Sequence, residues 1–327
     1  MASDHMRCIT FQTPSGPEVL ELAQRPIPMP GAGEILVKVA AAGVNGPDMM
    51  QRKGLYPPPP GASDVLGLEI SGEVVALGPD VRDWSVGDQL CALTKGGGYA
   101  EYVTINADHC LPIPDGVSLI DTAGLCETFF TVWSNVFFGQ DIPRGANFLV
   151  HGGAGGIGST AVQLGAAFGL NVLTTVSSPD KAAFVASLGA SHAIDYTCED
   201  FVSVTKDAGG ADIILDVVGG SYVARNFKAA KPDARLISLA FRQGSKVEID
   251  LMPIMLKRLV LTGSTLRPRS DAFKAAVAQD LLAQVWPLFA SGQLRSTTHA
   301  TFPLDEAANA HDMMESSRHI GKILLTM

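Results

Sequence analysis

Apolar and polar positions along the chain fall into two regimes. Over residues 8–125 they mark short strands. Residues 34–40 (EILVKVA) and 69–77 (EISGEVVAL) alternate or run apolar, 89–93 and 99–105 continue the pattern, and Pro14-Ser15-Gly16-Pro17, Pro30-Gly31, Gly78-Pro79 and 112–116 punctuate it with turns. From about Thr122 the period changes. Residues 126–138 suit one helix with a heavy aromatic load, and strands near 148–150, 171–176, 194, 212–217, 235–239 and 259–262 then alternate with helices at 161–168, 179–188 and from Ser221. Such alternation predicts an α/β, doubly wound parallel sheet. A long helix over 271–290, a helix over 305–317 and a strand over 321–327 return to the character of the first part. The expected division is therefore 1–125 (strand-rich), 126–267 (parallel α/β) and 268–327 (return to the first domain), with a cleft between the two.

The densest chemical signal lies at 147–170. The apolar run Phe148-Leu149-Val150 leads into Gly153-Ala154-Gly155-Gly156-Ile157-Gly158 and then into an amphipathic helix. Gly153, Gly155 and Gly158 fit G-x-G-x-x-G, and the strand that follows at 171–176 completes a βαβ unit, so the loop is read as a dinucleotide site with the helix N-terminus facing a pyrophosphate. A 2′-hydroxyl is usually held by a carboxylate at the end of the second strand, whereas a 2′-phosphate needs room and a cation. This chain places Ser177, Ser178 and Lys181 there, with Asp180 in the following turn. NADPH is favoured over NADH, although Lys181 also suits a solvated position in a helix capped by Ser178 with Pro179 at its start.

Composition narrows the class. A chain of 327 residues with 46% hydrophobic and 17% charged residues is a compact two-domain protein, and a net charge of −9 argues against a nucleic-acid or anionic-membrane surface. Cys8, Cys91, Cys110, Cys126 and Cys198 show no C-x-x-C spacing, which suits reduced, mostly buried thiols in a cytoplasmic protein. No run reaches the length of a membrane span and no signal peptide is visible. Met6 is a candidate native start, so residues 1–5 are read as a non-native lead.

Several stretches together resemble one family. They are Asn45-Gly46-Pro47-Asp48-Met49-Met50-Gln51-Arg52, Gly54-Leu55-Tyr56 with the run 57–60, Leu66-Gly67-Leu68-Glu69, Val86-Gly87-Asp88, the glycine loop, Leu215 to Gly220 and Gly321-Lys322. The set is similar to the zinc-independent, zeta-crystallin-like quinone oxidoreductases of the medium-chain dehydrogenase/reductase superfamily, closest to their p53-inducible branch. The resemblance implies a GroES-like domain carrying a Rossmann domain, NADPH as cofactor and a homodimer. It implies nicotinamide and diphosphate contacts for Asn45 and Thr131, and backbone contacts along Gly153, Ala154, Gly155, Gly156 and Ile157. It further implies 2′-phosphate contacts for Ser177, Lys181 and Tyr196, a nicotinamide pocket lined by Phe241 and Leu266, and cofactor contacts for Val218 and Lys322. Zinc alcohol dehydrogenases carry Cys where Asn45 stands and G-H-E where Gly67-Leu68-Glu69 stands, so no metal is expected.

The implied activity is reduction of quinones. The alternatives are reduction of α,β-unsaturated ketones or thioesters, or NADPH binding without turnover. Without a metal, an acceptor that takes hydride readily is needed, together with donors to its developing oxyanion. Tyr56, stiffened by the prolines after it, either donates that hydrogen bond or walls the pocket. Asn45 offers amide groups near the cofactor or caps a turn. Asp48 orients Asn45 or Tyr56, or is structural. Phe129, Phe130, Trp133 and His151 read as core, and His109 and His311 have no partners at catalytic spacing.

Overall fold

The computed structural model describes residues 4–327; the first three residues of the opening lead lie outside it. The chain divides into two compact units, residues 4–130 with 267–327, and residues 131–266.

In the first stretch, strands β1 (His5–Thr10), β2 (Glu21–Pro26) and β3 (Glu34–Val44) precede helix α1 (Gly46–Arg52). β4 (Glu69–Leu77), β5 (Gln89–Leu93), β6 (Tyr102–Asn106), β7 (Cys110–Pro112), α2 (Leu119–Thr122) and α3 (Cys126–Val132) follow. The second unit holds β8 (Asn147–Val150), α4 (Gly156–Ala167), β9 (Asn171–Val176), α5 (Pro179–Ser187), β10 (His192–Asp195) and α6 (Phe201–Asp207). It continues with β11 (Ala211–Asp216), α7 (Tyr222–Ala229), β12 (Ala230–Ser238), α8 (Met252–Lys257) and β13 (Val260–Gly263). The chain then returns through α9 (Asp271–Gln284), α10 (Pro287–Ala290), β14 (Thr298–Pro303), α11 (Ala307–Glu315) and β15 (Lys322–Thr326).

The nucleotide-type unit is one parallel sheet in the order β10-β9-β8-β11-β12-β13. Its strand order reverses between β8 and β11, the place where doubly wound sheets open a crevice beyond the strand ends. All four residues of β8 are buried, as expected of a central strand covered on both faces. Gly165 lets α4 lie close on the sheet: a Cβ there would stand 2.7 Å from Val172 Cγ2 and 3.0 Å from Phe148 Cδ1. Leu149, Leu173, Ile194 and Ile214 pack with Phe201 and Phe227 in a second apolar layer.

The other unit is strand-rich, and the two together are the GroES-like plus Rossmann architecture. Its sheet runs β14-β15-β3-β4-β5-β7, with β6 also on β3, and β1 pairs antiparallel with β2. The antiparallel pairing of β15 on β3 joins the end of the chain to the beginning, Ile323 opposite Val44 and Leu324 opposite Gly43. Ile35, Val37, Val44, Ile70, Val74, Ile323 and Leu325 form its core.

Two expected helices come out differently. The segment 271–290 breaks into α9 and α10, because Pro287 has no N–H to continue the ladder and starts a new helix. The segment 126–138 is α-helical only to Val132; Trp133–Phe137 forms a wider π turn, closed by Phe138 N–H to Trp133 O at 2.9 Å. That widening accompanies a 5.2 Å stack of Trp133 on Phe137. The elements β1, β2, α6, α8 and β14 did not stand out in the pattern. Among the described residues no helix is long and apolar enough to cross a membrane.

Candidate functional site

The three motif glycines are glycines for different reasons. A Cβ at Gly153 would lie 2.0 Å from Thr174 Oγ1 on β9, and one at Gly158 would lie 2.1 Å from Gly152 O and 2.6 Å from Gly153 Cα. Both are required by packing inside the βαβ unit. Gly155 is not: a Cβ there would meet only Gly152 O, at 3.7 Å, and its φ of −84° suits any residue. Gly155 also caps α4 without a side-chain hydrogen bond, so the cap residue itself offers the first N–H groups of the helix no side-chain acceptor. Ala154, Gly156 and Ile157 continue this turn.

At the end of β9, Ser177, Ser178 and Lys181 lie together. Ser178 Oγ accepts from Lys181 N at 3.4 Å, and Lys181 Nζ donates to Ser177 Oγ at 3.2 Å. Partial burial, and then the positive charge of Arg242, hold the Lys181 ammonium below the usual lysine range. Arg242 thus lies close enough to act on the same corner. Sequence reasoning passed over it, although it directly follows the expected pocket residue Phe241. Tyr196, about half exposed, is pinned beside β9 by its N–H to Val176 O at 3.1 Å. Phe241 covers Gly219, whose φ of +67° favours glycine and whose Cβ would stand 2.7 Å from the Phe241 ring. Gln243 N–H ties that loop to Val218 O at 2.8 Å. Thr131, buried, and Leu266, half-buried, are the first and last residues of the unit.

The strand-rich unit gathers a second set. Lys322 Nζ, from the start of β15, stands 2.6 Å from both Asn45 Oδ1 and Glu69 Oε1, and Asn45 Nδ2 donates to Glu69 Oε1 at 2.8 Å. All three are buried. Asn45 therefore spends its amide largely inside the protein, held between a cation and a carboxylate. Asp48, also buried, accepts from the backbone N–H of Asn45 (2.9 Å) and of Gly67 (3.0 Å). It orients the backbone of Asn45. Burial raises its pKa to about 6, and the two backbone donors and Lys322 oppose the rise.

Tyr56, half-buried, has its phenol pushed above the ordinary range by burial, with Arg267 pulling the other way. The Arg267 guanidinium carbon lies 5.7 Å from the Tyr56 ring centre. Its Nε donates to Lys95 O and its Nη1 to Gln51 Oε1, both at 2.8 Å, while the buried Nη2 has no hydrogen-bond partner. A Cβ at Gly96 would approach that Nη2 to 3.1 Å, so the glycine makes room for it. Arg267 was not singled out in the sequence, and Glu69 stood out only as part of the Gly67-Leu68-Glu69 motif, because their partners come from distant parts of the chain. His151 is a satisfied core histidine, with Nε2 2.8 Å from Asn226 Oδ1 and Nδ1 3.3 Å from Thr175 Oγ1.

Comparison with known proteins agrees with this architecture. Residues 31–115 match the family described as an alcohol dehydrogenase GroES-like domain, and residues 188–325 the family described as a zinc-binding dehydrogenase. The quinone oxidoreductase of Escherichia coli, solved with NADPH, superposes with a TM-score of 0.89 at 27% identity, covering 98% of this chain and all of that one. The chain has the fold of the medium-chain dehydrogenase/reductase superfamily. A mycobacterial protein also solved with NADPH gives a TM-score of 0.88 at 28% identity, over 98% and 100% of the two chains. The human synaptic vesicle membrane protein VAT-1 homolog is 26% identical over 98% of this chain and 86% of its own.

The second family description raises zinc, and the residues do not fit it. Asn45, Leu68 and Glu69 stand where zinc relatives carry Cys, His and Glu, and the Lys322 ammonium already bridges Asn45 and Glu69. A dication would have to displace a buried cation and bind an amide and one carboxylate in place of the N and S ligands zinc prefers. Among the described residues no three His, Cys, Asp or Glu side chains are gathered to hold a metal.

Proposed function

We propose that the protein is an NADPH-dependent, zinc-independent reductase of quinones, a zeta-crystallin-like enzyme closest to the p53-inducible branch. One observation supports the cofactor reading: Gly155 is required neither by backbone angle nor by packing, and a glycine there lets a ligand approach the helix N-terminus closely. The Ser177, Lys181 and Arg242 corner, without a carboxylate at the strand end, favours the 2′-phosphorylated form. Along the loop, Gly153, Ala154, Gly155, Gly156 and Ile157 would hold the diphosphate. Tyr196 would flank the 2′-phosphate, and the remaining cofactor contacts that the resemblance implies are Asn45, Thr131, Val218, Phe241, Leu266 and Lys322.

Bound NADPH supplies a hydride. The acceptor's oxygen then gains negative charge and needs donors, and the neutral Tyr56 phenol and the unpartnered Arg267 Nη2 are the two candidates. Conjugated enones present the same oxygen and are the second reading. NADPH oxidation followed at 340 nm with 1,2-quinones, 1,4-quinones and enones separates them; quinones are expected to turn over fastest. Turnover of enones alone would replace the first reading with the second, and tight NADPH binding with no turnover of any acceptor would leave a binding protein. Tyr56→Phe keeps its activity if the ring is a wall and loses it if the phenol donates.

We also read the protein as a cytoplasmic homodimer. The edge strand β13 carries exposed Val260 and Leu261, and α8 adds exposed Met252, Met255 and Leu256, an uncovered apolar sheet edge that a second copy would extend and bury. Light scattering tests this, with Leu261→Lys expected to give monomers.

A further inference from the structure

Beneath the Asn45–Glu69–Lys322 set lies a chain of buried polar side chains that the proposed reaction does not use. Arg52, in the last turn of α1, has a fully buried side chain. Its Nη2 donates to Glu315 Oε1 at 2.5 Å, Nε donates to Ser15 O at 3.1 Å, and Nη1 lies 3.1 Å from His311 Nδ1. His311, buried on α11, places Nε2 3.1 Å from the hydroxyl of buried Tyr99. That hydroxyl stands 3.4 Å from Asp48 Oδ2. The chain then divides at the carboxylate, Oδ2 to the N–H of Asn45 and Oδ1 to the N–H of Gly67.

Donor chemistry gives every link one direction. A guanidinium only donates, so His311 Nδ1 accepts, and a neutral imidazole then carries its proton on Nε2. Nε2–H must donate to the Tyr99 oxygen, which leaves the phenolic proton for Asp48. Protonating His311 would turn two donors against each other, consistent with a pKa lowered to about 3 by burial and then by Arg52. Burial and then Asp48 hold the Tyr99 phenol well above its usual range, so its proton stays in place.

We propose that Arg52, His311 and Tyr99 are positioning residues: a one-way hydrogen-bond relay that keeps Asp48 an acceptor, so that its two oxygens clip the Asn45 and Gly67 segments and set the Asn45–Glu69–Lys322 geometry. The consequence for turnover rests on the reductase reading; the relay itself does not. Asp48 also faces the charges of Lys322, Glu69 and Arg267, which do not change in the variant below.

Two measurements on the full-length protein test this. Nitrogen-15 spectra of His311, assigned by loss of the signal in His311→Gln, are expected to show the neutral Nε2–H form throughout pH 5–8. An Nδ1–H tautomer or a doubly protonated ring would overturn the relay, whatever the protein's activity. In Tyr99→Phe, the pH at which the Asp48 carboxylic band appears in infrared difference spectra against Asp48→Asn is expected to rise by about one pH unit, a tenfold change in its protonation constant. The acid limb of kcat should move with it. An unmoved band in a folded Tyr99→Phe protein would refute the relay, whereas a moved band with no NADPH oxidation in any variant would retain the relay and reject the reductase reading.

Discussion

Gly155→Ala and Gly158→Ala form a matched pair that separates ligand approach from packing. At Gly155 the added methyl meets only one carbonyl at ordinary contact distance, with φ already at −84°. Alanine's poorer capping and the reduced freedom of the unfolded chain act in opposite directions, so the stability change should stay within about 1 kcal/mol. The same methyl occupies the space through which a diphosphate would reach the helix N-terminus. Losing one charge-assisted hydrogen bond of about 1.5–3 kcal/mol weakens NADPH roughly 10–150-fold. At Gly158 the methyl collides with backbone at 2.1 and 2.6 Å, so strand, loop and helix must part. There the loss is folding stability, on the order of 3 kcal/mol or more. Thermal unfolding paired with fluorescence titration of NADPH reads both. A Gly155→Ala protein that binds NADPH like the parent would refute the reasoning, as would a Gly158→Ala protein as stable as the parent.

Lys181→Glu is expected to weaken NADPH at least tenfold more than NADH, because on the proposed reading the replaced cation would serve only the extra phosphate; equal losses in competitive titration would remove that role. Lys322→Met leaves the Glu69 carboxylate buried beside an amide and should cost about 3–5 kcal/mol in urea denaturation, with much of it recovered on adding Glu69→Gln. The stability gap between the parent and His311→Gln should narrow on acidification. The folded-state pKa of His311, about 3, lies below the unfolded value near 6.5, so its stabilising share is full above pH 6.5 and falls by about 1.4 kcal/mol per pH unit toward pH 3. A gap that stays constant between pH 7 and 5 would contradict the relay's neutral histidine.

The parallel sheet and its glycine loop were legible because their signals are local: a three-residue apolar run, a fixed glycine spacing and a helix of matching length. The Ser177–Lys181 corner was legible for the same reason, since cap, proline and lysine are neighbours. Arg52 and His311 lie 259 positions apart, and Lys322 and Glu69 are 253 apart, so no window along the chain displays them as pairs. Arg267 is likewise defined by Gln51, 216 positions away. Asp48 was noticed but its task was open, because whether a carboxylate faces solvent, a side chain or two backbone amides depends on which strand lies above it. The break at Pro287 was present in the sequence as a residue that cannot continue a helix, overridden by the apolar periodicity on both sides of it. The π turn after Val132 had no such marker; the aromatic run there suits an ordinary helix equally well.

Calorimetric titration of the folded protein with NADPH and, separately, NADH tests the central claim most directly. The account predicts saturable heat with NADPH at an affinity at least tenfold above that for NADH. Absence of heat with NADPH, or equal affinity for the two, would contradict it.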